Sequence, residues 1–149
     1  MIIDLKPLEA LIEGNKYKVT ILSNASAYLY HSLENINWLG FYLLCDKTLY
    51  LGPFQGKIAC IEIPVGKGVC GNTIKEDKTL VVDNVLEYPG HIACDSNSRS
   101  EVCIPLHIGD MTYGLLDIDS PIFNRFNKEL VCELEKAAKI IEDALEKAI

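Results

Sequence analysis

The stretch "SEVCIPLHIGDMTYGLLDIDS", residues 100–120, decides the fold. Two runs of alternating side-chain character flank Gly109 and Asp110, the pattern of an antiparallel hairpin. A two-residue loop at those positions would set Val102 opposite Asp117 and mix apolar side chains with acids. A three-residue loop, Gly109 to Met111, pairs Val102 with Ile118 and Ile104 with Leu116, which sorts the two faces cleanly. That register predicts Glu101, Cys103 and His107 on one face with Asp117 and Asp119, Glu101 opposite Asp119, and aliphatic residues on the other face. Pro105 is expected to add a bulge near the middle.

A polar sheet face of this kind is often simply washed by solvent. Here, however, Cys94 lies only seven residues before Glu101, in a polar loop that also holds Pro89, Gly90 and Asp95. Free cysteine behaves as a small hydrophobe and is usually buried, so a thiol among turn-forming residues points to chemistry. Its nearness to Glu101 predicts that the thiol loop and the acidic face share one pocket. Carboxylates crowded and buried together repel one another, which predicts that one of them is protonated near neutral pH. A protonated acid beside a thiolate is a catalytic pairing.

Outward from the hairpin, residues 15–33 place Val19, Leu22, Leu29 and Leu33 at helical spacing. The aromatic-rich run 37–46 and "KTLYLGPF" after Asp46 read as a hairpin, and "IACIEIPVG" as a third strand. Gly66, Gly68 and Gly71 permit a tight turn into a short helix ending near Asp77, with the strand "TLVVDNV" after it. From Asn127, a plausible N-cap, Leu130, Leu134, Ala137, Ile141 and Leu145 recur at spacings of three and four. The element order predicts an α+β domain with a mostly antiparallel sheet.

The 149 residues fit one domain, 1–149, and 49% hydrophobic with 23% charged residues is ordinary for a globular chain. A formal charge of -7 without a Lys/Arg cluster argues against a nucleic-acid partner. Asp4, Glu9 and Glu13 interrupt the N-terminal apolar residues, and no stretch approaches a membrane span, so the expected location is the cytoplasm. Six cysteines there stay reduced and imply no disulfide framework.

Cys45, Cys103 and Cys132 lie inside strongly periodic segments and read as packing, whereas Cys60, Cys70 and Cys94 sit near strand ends, glycines or loops. Cys70, at the start of a helix, is placed where unpaired N–H groups and the helix dipole favour a thiolate. His91, three residues before Cys94, would lower that thiol's pKa if protonated. The spacing of 60, 70, 91 and 94 matches no zinc knuckle or ribbon, so no metal and no other cofactor is expected. Thiol redox chemistry is the stronger reading.

Four motifs, "NWLGFY", "ACIEIPVGKGVCG", "PGHIACDSNSRSE" and "LLDIDS", stand in order between residues 37 and 120. Together they resemble the free methionine-R-sulfoxide reductases, single GAF-domain enzymes acting on the free amino acid. The resemblance implies a GAF-like fold, with a six-stranded antiparallel sheet flanked by N- and C-terminal helices, and a homodimer. It maps the reactive cysteine onto Cys94 and its two partner cysteines onto Cys60 and Cys70. It also points to Glu101, Asp117 and Asp119 as pocket acids and to Trp38 and Tyr42 as an aromatic wall. A thioredoxin-like reductant is the implied partner. The same fold serves small-ligand sensors, so a non-enzymatic ligand-binding or redox-sensing module is the competing expectation.

Overall fold

The computed structural model describes residues 3–91 and 95–149. Helices α1 (Lys6–Ile12) and α2 (Lys18–Ser32) precede the hairpin β1 (Trp38–Cys45) and β2 (Thr48–Gly56) and the short strand β3 (Glu62–Pro64). Then follow α3 (Gly68–Glu76), β4 (Leu80–Val82), a 3-10 turn at Val85–Glu87, the hairpin β5 (Ser100–Ile108) and β6 (Met111–Ser120), and α4 (Lys128–Glu146). The strands form one six-stranded sheet in the order β3-β2-β1-β6-β5-β4, antiparallel throughout.

The β5–β6 register has Glu101 opposite Asp119, Val102 opposite Ile118, Cys103 opposite Asp117 and Ile104 opposite Leu116, as the alternation predicts. The mechanism of that register differs from the expected three-residue loop. Ile108 pairs with Met111 across a two-residue turn, and an extra residue in β6, Tyr113 between Thr112 and Gly114, restores the sorted faces; Pro105, where a bulge was expected, pairs regularly with Leu115. His107, expected beside Asp117 and Asp119, does not line the cavity with them; it lies at the far end of β5, with Nε2 2.6 Å from Asp77 Oδ1 and Nδ1 3.5 Å from Glu142 Oε2.

The two sheet faces carry different loads. Leu39, Phe41 and Leu43 of β1, Val102, Ile104 and Leu106 of β5, and Leu116 and Ile118 of β6 pack against α1, α2 and α4 in the main core. The Asn127 side chain caps α4 by accepting the Leu130 N–H at 2.9 Å, and Leu130, Leu134, Ala137, Ile141 and Leu145 are all buried. In α2 the buried stripe includes Ile21, Leu22, Ala25 and Leu29, and Val19 faces solvent, so the stripe begins at Ile21 and not at Val19. The expected third strand is shorter than its apolar run, because residues 57–61 form a loop. α1, with Pro7 in its first turn, is an element that the pattern reading left unassigned. Cys45 and Cys132 are exposed and pack in no core; only Cys103 of the three periodic cysteines is buried.

β1 and β6 approach closely at Gly114, where an added Cβ would stand 2.2 Å from the Tyr42 carbonyl oxygen. Gly114→Ala is therefore expected to destabilise the fold by about 3 kcal/mol, since the clash is with backbone in the middle of the sheet. Urea unfolding measures this, and a midpoint equal to that of the parent protein would contradict the packing.

Candidate active site

The other face of the sheet, beneath α3, holds a second cluster containing Trp38, Tyr42, Leu49, Ile63, Val69, Cys70, Cys103 and Leu115. Alternation along β1 sends Trp38, Gly40 and Tyr42 to this side. The Trp38 ring stacks between Phe54 and Tyr42, with centroids 5.3 Å and 5.9 Å away. Gly40 is needed for this, because a Cβ there would meet Phe54 Cβ at 2.3 Å and the Trp38 ring at 2.8 Å. Both aromatic side chains also hold the 57–61 loop. Trp38 Nε1–H donates to the Lys57 carbonyl at 3.1 Å, and the Tyr42 hydroxyl donates to the Cys60 carbonyl at 2.8 Å.

Opposite this aromatic wall, β5 and β6 present Glu101, Asp117 and Asp119, which line one cavity with Trp38, Tyr42, Cys70, His91, Ser98 and the start of α3. Glu101 and Asp117 are buried, and Asp119 is partly exposed although its Oδ1 is buried. Burial first, and then the charges of Asp117 and Asp119, hold the Glu101 carboxyl well above the usual carboxylate range. Burial and the Asp117 charge do the same to Asp119, against the pull of its Ser98 hydrogen bond. The acid face expected from the hairpin is thus assembled, with groups that resist ionisation.

The cysteines divide sharply. Cys60 is partly buried in the 57–61 loop and is disulfide-bonded. Cys70 is buried and free; its contact with Cys103 lowers its pKa, but burial and the charges of Asp117 and Asp119 push it up to about 12. The thiolate expected from its place at a helix start is therefore not favoured: burial first, and then the nearby acids, oppose it. Cys103, also buried and free, is raised by burial and by its contact with Cys70. His91 stands 3.9 Å from Glu101 Oε1, and burial lowers its pKa, which works against the imidazolium expected beside Cys94. Cys94 itself lies outside the described residues.

Sequence reasoning missed a polar chain that supports the acids. Asn37 Nδ2–H donates to Asp95 Oδ2 at 2.9 Å and to Ser98 Oγ at 3.1 Å, and the Ser98 hydroxyl donates to Asp119 Oδ2 at 3.3 Å. Asn37 and Ser98 belong to two of the quoted motifs, so the signal was present, but short polar residues at strand ends read first as turn formers. Asn37 Oδ1 and Asp119 Oδ1 are buried with no hydrogen-bond partner among the described residues. As for cation donors, Cys70, Glu101, Cys103 and Asp117 each place one ligand-type atom within 4.8 Å of the others.

A six-stranded antiparallel sheet with helices on one face and a small-molecule cavity under a short helix on the other defines a GAF domain, and the GAF domain family model matches residues 17–145. The chain is 48% identical over 138 residues to the free methionine-R-sulfoxide reductase of Escherichia coli strain K12, covering 88% of this chain and 84% of that one. The reduced form of the fRMsr of Staphylococcus aureus superposes with a TM-score of 0.91 at 50% identity, covering 94% and 91% of the two chains. The free methionine-R-sulfoxide reductase of Neisseria meningitidis in complex with its substrate gives 0.92 at 38% identity, covering 96% and 86%. This chain belongs to the free methionine-R-sulfoxide reductase family, a family of oxidoreductases built on the GAF fold.

Because the folded state raises the Glu101 pKa, its ionisation opposes folding at high pH, and that penalty vanishes as pH falls towards the ordinary value of 4.5. Glu101→Gln, which removes the charge, is expected to stabilise the protein most at alkaline pH, with the gain shrinking as the solution is acidified. Urea midpoints of both proteins across a pH series check this. A gain independent of pH would show that Glu101 titrates normally.

Proposed function

We propose that this protein reduces free methionine-R-sulfoxide to methionine with Cys94 as nucleophile. The observation that carries the reading is the cavity in which Trp38 faces Glu101, Asp117 and Asp119 from the same side of the sheet. A zwitterionic amino acid needs a partner for its ammonium, one for its carboxylate and an apolar contact for its methyl group. Asp117 and the unpartnered Oδ1 of Asp119 suit the ammonium. Lys67 and the backbone at the start of α3 suit the carboxylate, and the Trp38 ring suits the methyl sulfoxide.

In the reaction, the Cys94 thiolate attacks the sulfoxide sulfur while a carboxyl, Glu101 or Asp119, delivers a proton to the oxygen. The sulfur–oxygen bond breaks, the oxygen passes to Cys94 as a sulfenic acid, and methionine leaves as the reduced product. A second thiol displaces that oxygen as water and forms a disulfide. Cys60 takes this role in our reading, in keeping with its place in the loop pinned by Trp38 and Tyr42 and with its disulfide bond, whereas Cys70 is buried and free. A thioredoxin-like dithiol then restores both thiols by exchange. We read residues 1–149 as one GAF domain that works as a homodimer in the cytoplasm. No helix among the described residues is long and apolar enough to cross a membrane.

Turnover of free methionine-R-sulfoxide with dithiothreitol, compared with the S epimer and peptide-bound sulfoxide, tests the reading directly. Consumption of the free R form supports it, and binding without consumption would instead make the protein a sensor. Cys94→Ser is expected to abolish turnover with the melting temperature retained; persistent activity would move the nucleophile elsewhere. Cys60→Ser should release one methionine per chain in a single burst and then stall in the presence of thioredoxin. Sustained turnover by that variant would reassign the second thiol to Cys70.

A further inference from the structure

The Cys103 thiol has no part in this reaction, yet its surroundings are chemically specific. Its Sγ lies 3.5 Å from Cys70 Sγ, 3.3 Å from Asp117 Oδ1 and 3.5 Å from Glu101 Oε2. Cys70 Sγ is 3.8 Å from the same Glu101 oxygen. All four residues are buried, and their donor atoms lie within 4.8 Å of one another. A tetrahedral ion with bonds of about 2.3 Å to sulfur and about 2.0–2.2 Å to oxygen sets its ligands about 3.3–3.8 Å apart. Four of the six separations fall in that range and the other two are within 4.8 Å, so an ion at the centre of the group would draw its ligands in by about 1 Å or less.

The donor set selects the kind of ion. Two sulfurs with two carboxylate oxygens suit zinc and its thiophilic relatives, whereas magnesium and calcium take oxygen ligands. The group is also short of positive charge. Among the described residues the ion pair that reaches it is His91 with Glu101, at 3.9 Å. Asp119 Oδ1, on the same cavity, is buried and unpartnered. Cys70, Glu101 and Asp117 line the cavity, so an ion has a route from outside.

We propose that Cys70, Glu101, Cys103 and Asp117 form a binding site for a thiophilic divalent cation of the zinc class, and that the bound ion blocks the pocket reversibly. Binding displaces the two thiol protons. This ligand set differs from the 60, 70, 91 and 94 spacing examined in the sequence. The blocking role rests on the proposed amino-acid pocket; the binding itself does not.

The test uses reduced protein carrying Cys60→Ser and Cys94→Ser, which leaves these buried thiols and the exposed Cys45 and Cys132. Titration with Co²⁺ is expected to produce a thiolate-to-cobalt charge-transfer band with visible bands of tetrahedral intensity, both removed by added Zn²⁺. Adding Cys103→Val should abolish them, and Cys70→Ser is the second variant, each checked for cooperative melting. Absence of the bands in the parent, or their survival in a folded Cys103→Val or Cys70→Ser variant, overturns the site. Free methionine-R-sulfoxide should weaken Co²⁺ binding by competition. Bands that appear but resist the sulfoxide would retain the cation site and overturn the blockade, and a failed turnover assay with intact bands would locate the error in the reductase reading.

Discussion

One extra residue of β6, Tyr113 between Thr112 and Gly114, fixes which side chains of the last two strands share a face. With it, Val102, Ile104, Leu116 and Ile118 enter the helix-packed core and Glu101, Asp117 and Asp119 stay on the opposite side. A slip of one residue would drive the carboxylates among leucines and isoleucines, where unpaired charge is far too costly to bury. The register is therefore held by the core on one face while the chemistry is assembled on the other. Stability and function use different sides of the same two strands.

β1 continues this division. Leu39, Phe41 and Leu43 seal the main core, while Trp38 and Tyr42 project under the 57–61 loop and tie its carbonyls at Lys57 and Cys60. A loop of five residues beside a three-residue strand has few backbone bonds of its own; Leu51 N–H to the Ile61 carbonyl at 3.0 Å is one. The two aromatic side chains thus act as anchors as well as walls. A loop carrying a thiol that must meet another sulfur needs its backbone placed to within bonding distance, and rigid side chains rooted in a central strand provide that placement.

The hairpin faces, the α4 stripe and the aromatic wall were legible because each is a periodic pattern read against one buried surface. Less was legible where pattern and local chemistry diverge. The α1 helix is seven residues long, too short for periodicity to announce it. Val19 fits a helical stripe by spacing but lies at the first turn, beyond the edge of the packed surface. The Asn37, Ser98 and Asp119 chain joins residues 61 and 21 positions apart, a relation that depends on how β1 and β6 pair. The ionisation of Cys70 was misread for the same reason: the helix start is local in sequence, whereas the acids that oppose it arrive from other strands.

Those acids also explain why the cavity favours a positive partner. Glu101 accepts from the Cys70 and Cys103 thiols at 3.8 Å and 3.5 Å, and Asp117 from Cys103 at 3.3 Å. Thiols are weak donors, so they satisfy the carboxylates without neutralising them. An ammonium group offers three strong donors and a full charge and meets that need without disturbing the sulfurs. A zinc-class ion meets it more completely by converting the same thiols from donors into ligands. The side chain at 103 therefore bears on selectivity: a sulfur there makes a cage for soft cations out of a recess that the three carboxylates alone would offer to an amine.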